Sequence, residues 1–397
     1  GRTGYQHMVV DYYVDRFREL REQRRQRLRA VRTPDQARKY QEQVRRALRR
    51  CIDPRPRRTP LNARITGSIT RAHHIIEKVS FESRPGCLVT AHLYRPRDLR
   101  EPAPAVLGCC GHSDYGKLEP LYQEFCQRLA LAGFVVLIYD PFCQGERDQY
   151  WFLKDRTPVL YSMYGHNMMG KQLDLVGEWF GAWRAWDGMR ALDYLLARPE
   201  VDSCHVGLTG NSGGGAMTTW LWAMDGRFTM AASSCAVCTY LINLENELPQ
   251  DYEGYFPGLI GAGLEIADIY IARAPQPALL MGQKYDFFDC RGLREAYEEI
   301  ERFFDILGAA SQNRKLFIGP GEHGYSDHNQ KEMVAFFCHH AQLDPPPRPR
   351  KIERLPARQL NVTTTGNVGD SGCKAGYELI ASRADDLQRK RKRLPAS

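Results

Sequence analysis

The residues best suited to chemistry lie in the stretch Gly210–Asn211–Ser212–Gly213–Gly214, which has the pattern G-x-S-x-G. An apolar run over 204–209 precedes this stretch, and a helix is predicted over 214–224 directly after it. A strand–turn–helix context of this kind is typical of a sharp turn that presents a nucleophilic serine, with a helix N-terminus beside it to favour developing negative charge. A phosphate-binding loop fits less well, because neither GxGxxG nor GxxxxGK[ST] is present. A glycine-rich turn with an inert serine stays open until partners for Ser212 are found.

Candidate partners for Ser212 follow two later strands. A nucleophilic serine needs a histidine that accepts its proton and a carboxylate that orients the histidine. His323 lies in a glycine-flanked turn after a predicted strand over 314–320, and Asp286 and Asp289 follow a predicted strand over 277–283. The chain order serine, aspartate, histidine predicts a catalytic triad. We favour Asp286 as the acid, because Asp289 adjoins a helix start and is suited to capping it.

An oxyanion formed on attack by Ser212 would need two backbone N–H donors. The N–H group of Gly213, directly after the nucleophile, is the first candidate. The loop after the predicted strand at 104–111 supplies the second, and we expect it to be the N–H group of His112. The His112 side chain is expected either to touch substrate or to make a local hydrogen bond.

Six stretches carry a family resemblance: GCCGHSDYGK, DPFCQGERDQ, WDGMRALDYLLARPEVD, GLTGNSGGG, GQKYDFFD and GPGEHGYS. Together they resemble α/β-hydrolases of the carbohydrate-esterase kind, related to acetyl xylan esterases and dienelactone hydrolases, over about residues 72–342. The resemblance implies a serine esterase that works through an acyl-enzyme and needs neither a metal nor an organic cofactor. The sequence departs from the pattern at Cys110, where many relatives have the histidine of a His-Gly-X motif.

The substrate is expected to be a small-molecule or polysaccharide ester. Trp151 and Tyr164 belong to an aromatic stretch that could stack on a sugar or form the core of a lid, and both interpretations stay open. His166 is a further candidate for the cleft. Acyl group and sugar are not determined by the sequence.

Two other functions are compatible with parts of the sequence. A peptidase or amidase of the prolyl-oligopeptidase type shares the triad order, but the sequence has no blade-length β repeats. A polyanion-binding protein on a hydrolase scaffold would use the basic termini. Nucleic acid is an unfavourable ligand, since few aromatic residues stand between the arginines.

The elements that must position these residues alternate between strands and helices from about residue 72. This alternation predicts a mostly parallel central sheet with helices on both faces, and the resemblance implies that this sheet has the α/β-hydrolase fold. We predict a basic helical arm over 1–60, a catalytic domain over 61–344 with insertions at 141–170 and 236–274, and a Pro-rich, basic extended tail over 345–397. The arm is expected to pack a Tyr13/Phe17/Leu20 stripe on the body or on a second subunit, which would make a homo-oligomer.

Charge is concentrated in the arm of this 397-residue chain. Residues 1–60 contain 18 Lys/Arg and 7 Asp/Glu, a net charge of +11, so the rest carries about −3 of the total of +8. The 12 cysteines do not form a disulfide or zinc pattern, and most of them are expected to be buried small hydrophobes. The sequence has no apolar run of membrane-spanning length and no visible signal peptide. A first residue other than Met is compatible with a secreted or periplasmic product whose targeting segment has been removed.

Overall fold

The computed structural model describes residues 5–52, 56–152, 154, 157–248, 250–254, 256–344 and 352–391. In this part of the chain nine strands form one sheet, in the order β1-β2-β3-β5-β4-β6-β7-β8-β9. The strands are β1 (Arg64–Thr70), β2 (His74–Arg84), β3 (Cys87–Pro96), β4 (Ala103–Cys109), β5 (Val135–Tyr139), β6 (Val201–Asn211), β7 (Met230–Ser234), β8 (Ala278–Tyr285) and β9 (Arg314–Glu322).

The sheet has an antiparallel edge and a parallel centre. Strands β1, β2 and β3 pair antiparallel, and β3 also runs antiparallel to β5. The strands from β5 across to β9 are all parallel to one another. Every residue of β4, β5 and β7 is buried, as expected for parallel strands that are covered on both faces. The carboxyl ends of β4, β6, β7, β8 and β9 therefore meet at one edge.

Helices cover both faces of the sheet. They are α1 (Met8–Ala30), α2 (Pro34–Ile52), α3 (Pro120–Leu131), α4 (Ser162–Asp174), α5 (Phe180–Leu196), α6 (Gly213–Met224), α7 (Tyr240–Glu245), α8 (Ile266–Ile271), α9 (Cys290–Ile306), α10 (Asp327–His340), α11 (Ala357–Leu360) and α12 (Gly376–Arg391). One hydrophobic core joins the sheet to α5, α6, α8 and α9, and a second joins it to α3 and α10. The predicted α/β-hydrolase architecture is thus confirmed. Helices α4 and α5 are separated by a short turn, in which Gly177 lies in the left-handed region.

The N-terminal helices α1 and α2 pack on the body of the same chain. Val14, Phe17 and Leu28 on α1 are buried, whereas Tyr13 is 60% exposed, so the predicted stripe is wrong at Tyr13. Arg24 is buried within the stripe because its Nε donates to Asp268 Oδ2 at 2.6 Å. A buried arginine needs such a partner, since an unpaired charge in the interior is strongly unfavourable.

The described part of the C-terminal segment, residues 352–391, is not an extended tail as predicted. Leu360, Val368 and Ala375 are fully buried, and α12 packs against α4. The sequence pattern was misleading because the Pro-rich stretch and the basic terminus flank short apolar runs that are buried only through tertiary contacts. The prolines at 345–347 and the end of the basic cluster at 392–393 lie outside the described residues.

Among the described residues, no helix is both long and apolar enough to cross a membrane.

Candidate active site

Ser212 stands at a sharp turn between β6 and α6. Its backbone has φ +57° and ψ −126°, a conformation that is costly for a residue with a side chain. The turn is held by a hydrogen bond from the Ser212 N–H group to the Ser234 carbonyl at the end of β7 (2.9 Å). Gly214 must be a glycine here, because a Cβ atom would collide with the backbone of Cys109. Ser212 therefore lies in a strained turn, directly before the first turn of α6.

Asp286 and His323 meet at the same edge of the sheet. His323 Nδ1 lies 2.7 Å from Asp286 Oδ1, and the Asp286 side chain is fully buried while that of His323 is 23% exposed. Asp286 Oδ1 also accepts the Phe288 backbone N–H at 3.0 Å, which fixes the carboxylate. With Nδ1 donating to Asp286, Nε2 of His323 is left to accept a proton.

Cys235 connects this pair to the serine turn. It follows Ser234, whose carbonyl binds the Ser212 N–H group, and its Sγ lies within 4.8 Å of the ligand atoms of Asp286 and His323. Burial and the nearby Asp286 charge raise the pKa of the Cys235 thiol to about 12. The thiol is therefore neutral near pH 7.

Asp289, the alternative acid, is engaged elsewhere. It is the N-cap residue of α9, where its Oδ1 accepts the Arg291 N–H group at 2.8 Å, and its carboxylate also pairs with the Arg291 guanidinium. These interactions lower the pKa of Asp289. The structure therefore brings Asp286, and not Asp289, to His323.

The residues that carry the two predicted oxyanion donors lie next to each other. The His112 ring lies against Gly213, such that a Cβ on Gly213 would be 3.1 Å from His112 Cε1 and 3.2 Å from Nδ1. The Gly111 N–H group donates to Tyr122 Oη at 2.6 Å, which anchors the loop before His112. Gly213 must lack a side chain because the His112 ring and the Glu253 carboxylate occupy that space.

A second group of polar side chains, missed by the sequence analysis except for its histidines, borders the serine turn. Asp251 Oδ2 lies 2.7 Å from His112 Nε2 and 3.1 Å from His166 Nδ1, and Glu253 pairs with Arg184. Burial lowers the pKa of His166 to about 4, while the His112 and His166 imidazoles beside Asp251 outweigh the effect of burial and hold the pKa of Asp251 well below its usual range. Asp251 and Glu253 arrive from the predicted insertion 236–274, whose acidic residues carry no local motif.

Trp151 and Tyr164, two aromatic residues considered for substrate contact, differ in their exposure to solvent. Trp151 is 4% exposed, pairs with Pro158 and contacts Gly369, so it packs in the interior, as the lid-core interpretation expects. Tyr164 on α4 is 73% exposed, which leaves its ring available to a ligand.

An ion-paired group below the surface holds the loops that carry His112. Lys117 is fully buried and pairs with Asp140 and with Glu146, whose Oε2 is 2.6 Å from the Lys117 ammonium nitrogen. Glu146 also accepts N–H groups of Val362 and Thr363 from the C-terminal segment. The stretches GCCGHSDYGK and DPFCQGERDQ are thereby joined to each other and to residues after 352.

Comparisons with known proteins place the fold. No family model matches the chain. The chain is 25% identical over 290 residues, 70% of its own length and 92% of the relative, to the protein named "Putative hydrolase YtaP" of Bacillus subtilis. It is also 27% identical over 172 residues, 42% of its length and 22% of the relative, to the uncharacterized peptidase YuxL of the same organism.

Solved structures give longer alignments. Methylesterase BT1017 aligns with 94% of this chain and 80% of its own, with a TM-score of 0.71 and 18% identity. A glucuronoyl esterase from Solibacter usitatus covers 75% of this chain and 92% of its own (TM-score 0.56, 17% identity). An acetyl xylan esterase from Paenibacillus sp. R4 covers 76% and 93% (TM-score 0.51, 16% identity). The chain has the α/β-hydrolase fold that these esterases share.

Proposed function

We propose that the protein is a serine carboxylic ester hydrolase that acts on an esterified carbohydrate. The observation that carries the proposal is the hydrogen bond between His323 and the buried Asp286, at the sheet edge where Ser212 occupies a strained turn before α6. The hydrolase relative and the esterases of the same fold support the reaction class.

In the proposed reaction, Ser212 Oγ attacks the ester carbonyl while His323 Nε2 accepts its proton. Asp286 holds the imidazole in the required tautomer and stabilises the imidazolium that forms. The N–H groups of Gly213 and His112 are the candidate donors to the oxyanion. His323 then protonates the leaving alcohol, and water repeats the sequence on the acyl-enzyme.

The substrate class rests on the neighbours in fold and on exposed aromatic side chains near the 141–170 insertion. Tyr161, Tyr164 and Phe152 are 44%, 73% and 59% exposed, and an exposed ring offers an apolar face to a sugar. The neighbours differ in ester type, since they include a methylesterase, a glucuronoyl esterase and an acetyl xylan esterase. The ester itself must be found by experiment.

The experiment is a screen of acetylated xylan, methyl-esterified pectin and a glucuronoyl ester, with acetate, methanol and the free acid measured separately. We expect release from at least one polymer by the wild type and none by Ser212→Ala. Turnover confined to aminoacyl amides would support the peptidase alternative, which the similarity to YuxL favours.

The ion pairs between the arm and the body argue against the polyanion-binding alternative. Arg18 pairs with Glu245, Arg24 with Asp268 and Glu299, and Arg25 with Glu295, so body carboxylates already neutralise much of the α1 charge. An arm that used these arginines to collect a polymer would have to break these pairs.

A further inference from the structure

The polar group beside the serine turn consists of His112, His166, Asp251 and Glu253, which we call the His–Asp cluster. Its members come from three separate segments: the loop after β4, helix α4, and the connection between α7 and α8. One ligand atom from each residue lies within 4.8 Å of the ligand atoms of the other three. Four donor atoms from three segments of the chain thus lie close enough together to bind one ion.

The hydrogen bonds of His166 leave one nitrogen with an unfavourable neighbour. Its Nε2 lies 2.8 Å from the Phe142 carbonyl oxygen, which can only accept, so Nε2 carries a proton. A neutral imidazole then has its lone pair on Nδ1, which lies 3.1 Å from Asp251 Oδ2. A lone pair that faces a carboxylate oxygen is repulsive unless a cation lies between them. An imidazole whose outer N–H group binds a carbonyl and whose inner nitrogen faces other donors is typical of a metal ligand.

Charge and burial favour a cation at the same place. Asp251 and Glu253 side chains are each 2% exposed, and Arg184 pairs with Glu253 and offsets one of the two negative charges. The Asp251 charge remains when both imidazoles are neutral. A buried carboxylate is normally paired or bound to a metal. The His112 side chain is 30% exposed, so an ion can reach it from solvent.

We propose that the His–Asp cluster binds a divalent transition-metal ion of the zinc class. Two imidazole nitrogens and carboxylate oxygens form a donor set that suits Zn²⁺, with His112, His166 and Asp251 as ligands and Glu253 as the fourth. The ion would tie the segment of Asp251 and Glu253 to the loop that borders Gly213. It takes no part in the proposed steps at Ser212, so this proposal is independent of the esterase function.

The test measures zinc on the full-length chain. Protein produced with supplemented zinc is dialysed and its metal content determined by mass spectrometry, and chelator-treated protein is titrated with ZnCl₂, MnCl₂ and MgCl₂ by calorimetry. We expect stoichiometric zinc, a higher Tm with ZnCl₂ and no comparable response to MgCl₂. Absent or substoichiometric zinc with an unchanged Tm would overturn the proposal and leave a protonated imidazole as the counter-charge.

Variants assign the site. Asp251→Asn and His166→Gln should each weaken zinc binding by more than about 100-fold. Loss of a residue that only hydrogen-bonds to a metal ligand costs about 10–100-fold. Asp202→Asn is the matched control. Asp202 forms a His–Asp pair with His205, with 2.6 Å between Oδ2 and Nδ1, and this pair is not part of the His–Asp cluster. Zinc retained by Asp251→Asn and lost by Asp202→Asn would contradict the assignment. If the buried variants fail to fold, two further measurements test the proposal. The first is the zinc affinity of His112→Gln, a change at a partly exposed position, and an unchanged affinity would overturn the proposal. The second is the absorption spectrum of Co²⁺-loaded wild type, and the absence of bands of a tetrahedral nitrogen–oxygen site would overturn it as well.

Discussion

His323 Nδ1 lies 2.7 Å from Asp286 Oδ1, and the Asp286 side chain is fully enclosed while the histidine ring is partly open to solvent. The pair joins the turn after β9 to the turn after β8, next to the turn that carries Ser212. A buried carboxylate that accepts from the inner nitrogen of a histidine directs the outer nitrogen away from the carboxylate and leaves it to accept a proton. This relationship is the structural basis of the proposed hydrolase.

The choice of acid gives the first prediction. Asp286→Asn should lower kcat on the order of 10⁴-fold, because an amide cannot select the required tautomer or stabilise the imidazolium. Asp289→Asn is the control and should change kcat far less, since Asp289 caps α9 and pairs with Arg291. Steady-state rates with a p-nitrophenyl ester measure both. A larger loss in the Asp289 variant would move the acid role to Asp289.

Phe287 gives the second prediction. Its ring stacks on the His323 ring, with centroids 4.0 Å apart, and is 53% exposed. We expect Phe287→Ala to raise KM for a carbohydrate ester by about 2- to 10-fold, the worth of one aromatic contact, and to change KM for p-nitrophenyl acetate less. Tyr12→Ala, at an exposed position on α1, is the control. Equal KM changes on both substrates would argue against a sugar contact at Phe287.

The arm gives the third prediction. Arg24→Met removes the partner of the buried Asp268, which also accepts from Tyr40 Oη at 2.7 Å. Leaving one buried charge unpaired should lower the free energy of unfolding by about 3–5 kcal/mol. Arg38→Met removes an exposed pair with Asp35 and should cost less than about 1 kcal/mol. Urea unfolding measures both, and equal small losses would mean that the arm contributes little to the fold.

Glu265 gives a pH prediction. Burial, partly opposed by Arg24, raises its pKa to about 7, above the unfolded value of about 4.3. The folded state therefore holds this proton more tightly, and stability from Glu265 is present at low pH and lost as pH rises toward 7. Between pH 4.5 and pH 8, the free energy of unfolding of the wild type should fall by on the order of 3 kcal/mol relative to that of Glu265→Gln. Urea unfolding at the two pH values measures this difference. A difference that does not vary with pH would contradict the prediction. Asp148, whose pKa is also raised to about 7, is present in both proteins, so its contribution cancels in the comparison of wild type with Glu265→Gln.

The sequence predicted the parts of the site that are set by local patterns. Ser212 lies between a strand and a helix that the sequence predicts, and Asp286 and His323 each follow a predicted strand. Asp251, Glu253 and Arg184 could not be found in this way, because they approach the serine turn only through tertiary contacts of a long connection and of α5. The two interpretations of Trp151 could not be separated, because an aromatic residue in an insertion has the same sequence signal whether it faces solvent or, as here, packs against the C-terminal segment.

The proposed role of Ser212 is tested most directly by covalent labelling. The wild type and Ser113→Ala, a change at another serine of the cleft loops, should each react with a fluorophosphonate ester, and peptide mass spectrometry should locate the adduct on Ser212. Ser212→Ala should remain folded by circular dichroism, take up no label and lose on the order of 10³-fold or more in kcat on a p-nitrophenyl ester. An adduct on another residue, or a folded Ser212→Ala that keeps more than about a tenth of the wild-type kcat, would contradict the account.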